Sequence, residues 1–188
     1  MSANFMDGSR LEQLLGHIKM EFPNFSLVKK SESSFMSFID KVLMVVTFRQ
    51  MQAFMKDYTT TIGATVYTPS TWETMDEVSK IATLRHERVH MRQAKNIGFA
   101  LFAFLYIFAW FPLGLARCRA KFEMEAYAES MAVHHEYGRD ILNKDYKEWM
   151  ISHFTGAAYG WMWPFRGDVE RWFVETASKV LARQQKPT

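Results

Sequence analysis

Leu11, Leu14, Leu15 and Ile18 recur at three- and four-residue intervals, which predicts a short amphipathic helix over 9–22 that Pro23 and Asn24 end. A second helical pattern opens at Ser33–Ser34 and carries Phe35, Phe38, Ile39, Val42 and Leu43. Its end is unmarked, because strand-prone 45–48 runs into helix-prone 51–55. From Thr59 to Thr68 the period changes to two. Ile62, Ala64 and Val66 alternate with Thr61, Gly63, Thr65 and Tyr67, predicting one half-buried strand that Pro69 stops. Two capping-box patterns follow, Ser70-x-x-Glu73 and Thr74-x-x-Glu77. The second should launch a helix to about Asn96, with Val78, Ile81, Ala82 and Leu84 on its apolar face. After an apolar stretch, Ile97 to Ala116, a long helix is expected from Arg117 to Tyr137, ended by Gly138. Two more helices, 145–154 and 167–184, flank the turn-rich Gly156–Gly167 segment. The balance is α+β, mostly helix with a small sheet.

The length of 188 residues predicts one domain over 1–188, able to bury roughly 70% of its unfolded surface. No period of 20–50 residues recurs, which removes solenoids and propellers. The core should be heavy and aromatic, given 16 Phe, 6 Trp and 13 Met. A net charge of only +3, without a basic tract or a nucleic-acid-binding signature, gives no reason to expect nucleic acid as a partner. The single cysteine, Cys118, excludes an internal disulfide and a cysteine-rich metal site and suits a reducing compartment. Met1 to Met20 has no apolar core of a secretory signal, so a cytoplasmic location is expected.

The helix predicted from the second capping box contains His86-Glu87-Arg88-Val89-His90. Four residues advance a helix by about 400°, so the imidazoles lie about 40° apart on one face, one turn removed. At that spacing two ring nitrogens reach one metal ion. Glu87 sits near enough to hydrogen-bond a water on that ion without ligating it. Two satisfied histidines on a polar helix face would give the same string, but the helical setting favours the metal reading. A catalytic zinc needs a third protein ligand and an open position. With cysteine nearly absent, that ligand is a histidine or a carboxylate. The run Lys121-Phe122-Glu123-Met124-Glu125-Ala126-Tyr127-Ala128-Glu129 offers Glu123 and Glu125, which lie about 200° apart and cannot both face one ion. His134 and His135 read as helix-end residues, a histidine ligand from there being the lesser alternative. Gln93 shares the His86/His90 face and either lines the cleft or packs there.

An HExxH helix followed by a helix with an ExEA-type sequence, here Glu123-Met124-Glu125-Ala126, resembles the gluzincin metallopeptidases. The ExEA element also resembles that of the membrane-associated CAAX-processing and heat-shock peptidases, and the whole resembles small bacterial and phage HExxH proteins. The likeness covers roughly 59–130. It implies a zincin-like fold, with an edge strand beside the HExxH helix to hold extended substrate. It further implies Zn2+ held by His86, His90 and Glu123, the glutamate three before the alanine. Those families often place aspartate after that alanine, as a partner to a histidine; this chain has Tyr127.

The implied activity is hydrolysis of a peptide or protein substrate. Zinc would polarise the carbonyl and acidify its water, and Glu87 would take the proton and pass it to the leaving amine. Tyr159, in Ala157-Ala158-Tyr159-Gly160-Trp161, is a candidate donor to the developing oxyanion; an interfacial aromatic with a wet hydroxyl is the competing reading. Two rival classes are a zinc-binding protein without hydrolytic activity and a membrane-surface interaction protein. The intact Glu87 argues against the first, since a structural site has no use for a general base.

Ile97 to Ala116 carries no charge and is long enough to cross a bilayer. A crossing would separate His86 and His90 from Glu123, and Pro112 and Gly114 shorten the helix. The expectation is a central core helix, with peripheral membrane contact through 97–116 as the alternative.

Overall fold

The computed structural model describes residues 9–34, 36–37, 39, 56, 58–107, 117–156 and 162–184. Among them the chain is mostly helical with one three-stranded sheet, an α+β composition. It forms two compact units, 1–91 and 92–188.

In the first unit, helix α1 spans Arg10–Glu21. Ser9 caps it reciprocally: its hydroxyl accepts from the Glu12 N–H at 3.2 Å and its own N–H donates to the Glu12 carboxylate at 2.9 Å. Strand β1 is Ser26–Lys29, β2 is Thr60–Ile62 and β3 is Thr65–Thr68, in the order β1-β3-β2. β3 runs parallel to β1 and antiparallel to β2, with Thr61 opposite Val66. The single strand expected over 59–68 is therefore a hairpin. Gly63 holds φ at +62°, a left-handed conformation that L side chains disfavour, and the chain reverses there. Alternation alone ran through the turn because Gly63 and Ala64 happen to keep its phase.

Residues Ser70–Thr74 form a 3-10 turn, and helix α2 then runs Glu77–Ile97. Its cap is Asp76 rather than Thr74. The Asp76 carboxylate accepts from the Ser79 N–H at 2.9 Å and from the Ser79 hydroxyl at 2.7 Å. Arg88 on α2 donates from Nε to the Glu21 carboxylate at 2.6 Å, fastening α2 to the end of α1. Ile18, Phe22, Val66, Trp72, Leu84 and Met91 are buried together, joining α1, the sheet and α2 around one core. Of the second expected helix, Ser34, Met36, Ser37 and Ile39 are helical, with the Met36 N–H donating to the Ser33 hydroxyl at 3.2 Å. Most of its remainder, and the 45–55 passage, lie outside the described residues.

The second unit begins within α2 and continues as α3 (Phe99–Ile107), α4 (Arg117–Glu136), α5 (Lys144–Thr155) and α6 (Arg166–Gln184). Gly98, at φ +86°, separates α2 from α3. The three downstream helices lie close to the positions expected from periodicity. Met131, Ile141, Met150, Ile151, Phe154 and Phe173 are buried where α4, α5 and α6 meet.

The first half of the apolar stretch departs from the expected core helix, while 108–116 lie outside the described residues. None of the residues from Ile97 to Tyr106 is buried, and Phe104 is 57% exposed, so the described part of α3 is not a core helix. Length and lack of charge are the same for a buried helix and for an exposed apolar one, and α3 carries no polar face to separate them. No helix among the described residues is long and apolar enough to cross a membrane.

Candidate metal centre

Helix α2 buries three polar side chains spaced three apart, Glu87, His90 and Gln93, each under 8% exposed. Buried polar groups are costly unless each is hydrogen-bonded. The partners of this stripe define the site.

In the first unit, Nε2 of His90 lies 3.1 Å from Nε2 of His86, the rings meeting edge to face. Two nitrogens on one tetrahedral zinc, each at about 2.0–2.1 Å, would stand about 3.3 Å apart. The pair therefore fits a single ion, and the helical repeat that the sequence supplied is the cause. Glu87, between them in sequence, accepts a hydrogen bond on Oε2 from the Thr61 hydroxyl at 2.7 Å. Thr61 is the middle residue of β2, an edge of the described sheet, so strand and helix together fix the direction of this carboxylate.

In the second unit, Glu123 on α4 is 4% exposed and receives a short hydrogen bond on Oε1 from the Tyr106 hydroxyl of α3. The Arg119 guanidinium lies 5.0 Å from the Tyr106 ring centroid. A cation over the ring draws electron density from the phenol and makes it a better donor to the carboxylate. Glu123, Ala126, Tyr127 and Ser130 form one buried face of α4, as their spacing implies. Glu125 is exposed and is engaged otherwise: Gln93 donates to its Oε2 at 2.8 Å and to the Phe122 carbonyl at 3.1 Å.

His86 and His90 of the first unit and Glu123 of the second each offer one possible ligand atom. The donor set, two imidazoles and a carboxylate, is chemically that of a catalytic zinc. Gln93 does pack on the α4 backbone, the second of its two expected roles. Tyr127 turns its ring into the core, edge-on to His153 and Phe154 with centroids 5.4 and 5.6 Å away. His134 and His135 occupy the last turn of α4, and His134 Nδ1 meets the Tyr146 hydroxyl at 3.1 Å. Tyr159 lies outside the described residues.

Sequence reading missed Thr61 and Tyr106 as site residues. Tyr106 carried a signal: it is the one hydroxyl between Ile97 and Ala116. A polar tip in such a stretch needs a partner, and Glu123 is it. Thr61 carried none, because a threonine in a strand is what β propensity alone provides.

No family model, curated protein or solved structure matches the chain.

Proposed function

We propose that this chain is a zinc-dependent metallopeptidase of zincin-like architecture, with His86, His90 and Glu123 as metal ligands and Glu87 as general base. The reading rests above all on the 3.1 Å approach of the two Nε2 atoms beside a carboxylate that strand β2 holds in place. A bound zinc would supply the Lewis acid that polarises a substrate carbonyl and makes water acidic at neutral pH.

The chain's own groups do the rest. Glu87 has one carboxylate oxygen occupied by Thr61, which leaves Oε1 to accept the proton of an attacking water and return it to the leaving amine. Tyr106 holds one oxygen of Glu123 and so leaves the other to ligate. The edge of β2 that does not pair with β3 suits an extended peptide, which would add to the sheet beside Glu87 through main-chain hydrogen bonds.

The test is cleavage of a denatured protein by zinc-loaded wild type and by Glu87→Gln, with products read by mass spectrometry. Wild type should cleave, and the variant should lose about 10²–10⁴-fold in rate while keeping its zinc. Cleavage that survives the substitution would remove Glu87 from the chemistry.

A further inference from the structure

Gln93 stands three residues beyond His90 on α2, and it is only 6% exposed. Its amide nitrogen donates to the Phe122 carbonyl at 3.1 Å and to Oε2 of Glu125 at 2.8 Å. A side-chain amide has two N–H groups, and here each has an acceptor. The two acceptors also fix which end of the amide faces α4, because the opposite orientation would set its oxygen against two others.

These acceptors bracket Glu123: Phe122 directly precedes it and Glu125 follows two residues later, so both belong to its helical turn. One bond would leave that turn free to rotate about it. Two bonds, one to the main chain and one to a side chain about 60° around the helix, fix both its rotation and its height along α4. Neither acceptor needs Gln93 for its own sake. The Phe122 carbonyl lies inside α4, where the helix supplies a donor, and Glu125 is exposed to water. Packing alone would be served by an apolar side chain at lower desolvation cost. What the buried amide adds is the attachment.

We propose that Gln93 is a positioning residue for the third metal ligand. It holds the turn of α4 that carries Glu123, while Tyr106 holds the carboxylate itself. The inference rests on the ligand set proposed above and extends it to a residue that does not touch the ion.

Zinc competition titrations on a double-mutant cycle of Gln93→Met and Glu123→Ala decide it. Methionine keeps the length and the burial and removes both donors. Acting through Glu123, Gln93→Met should weaken zinc binding about 10- to 100-fold when Glu123 is present. Once Glu123 is alanine, the same change should cost no more than about twofold. An equal loss in both backgrounds would make Gln93 a general structural residue and overturn the proposal, as would wild-type affinity in Gln93→Met. Circular dichroism of the zinc-free proteins checks that the fold is kept. If Gln93→Met does not fold, Gln93→Glu and the exchange Gln93→Glu/Glu125→Gln take its place. The first sets two carboxylates together, and the second restores one hydrogen bond with donor and acceptor exchanged. Affinity should fall in the first and recover in part in the second; no recovery would overturn the proposal. Wild type that takes up no zinc would remove the ligand set and this inference together, whereas an unchanged or additive Gln93→Met result would remove this inference alone.

Discussion

The Thr61 hydroxyl donates to Oε2 of Glu87 across 2.7 Å, tying the middle of an edge strand to the acidic residue of the HExxH turn. A carboxylate buried to 7% exposure on a helix has several rotamers open to it, and this bond selects one. Thr61→Val keeps the shape and removes the donor. Hydrogen bonds to charged groups contribute about 1.5–3 kcal/mol, so hydrolysis should fall about 10- to 100-fold. Zinc affinity should stay near wild type, because Thr61 touches no ligand. A competition titration and a rate measurement on the same sample separate the two effects.

Tyr106 acts on Glu123 as Thr61 acts on Glu87, but its readout is different. Tyr106→Phe should weaken zinc binding about 10- to 100-fold, the cost of losing a partner that orients a ligand. Glu123→Ala should weaken it further, and Glu125→Ala, whose carboxylate is held by Gln93, should change it least. A zinc competition titration that ranks Glu125→Ala above Glu123→Ala would move the ligand assignment.

Much of this arrangement was legible from residue spacing, and the failures share a cause. The 86–90 spacing fixed both imidazoles on one turn, and the three- and four-residue spacing of Glu123, Ala126, Tyr127 and Ser130 fixed the buried face of α4. Local helical geometry carries such facts. The hairpin at Gly63, the cap at Asp76 and the exposure of Phe104 were not legible. Each depends on which of two locally equivalent options tertiary contacts select: strand or turn at a glycine, one cap or its neighbour, core or surface for an apolar helix. The polar partners of Glu87 and Glu123 come from residues 26 and 17 positions away, distances at which no periodicity speaks.

Gly63 gives a stability test of the hairpin. Gly63→Ala meets no atom within 4 Å, so its cost is purely that of a left-handed backbone at φ +62°. Urea denaturation should show a loss of about 1–2 kcal/mol. An unchanged midpoint would mean that the turn relaxes to another conformation.

Tyr146 gives the pH dependence. Burial raises its phenol above the ordinary value of 10.0, with Arg139 opposing weakly. The folded state then holds this proton more tightly than the unfolded chain. The resulting stability is fully present below that ordinary value and is lost as pH rises past it. Alkaline denaturation of wild type should therefore steepen above that point, and Tyr146→Phe should flatten the curve there. Parallel curves for the two proteins would show that the hydroxyl ionises freely.

If His86, His90 and Glu123 hold one metal ion, as proposed, the zinc content per chain reports it. Protein dialysed against zinc and then freed of excess should retain one equivalent as wild type and as Glu87→Gln, and essentially none as His86→Ala or His90→Ala. Wild type that retains no zinc, or a His90→Ala variant that keeps a full equivalent, would rule out a metal ion held by these three residues.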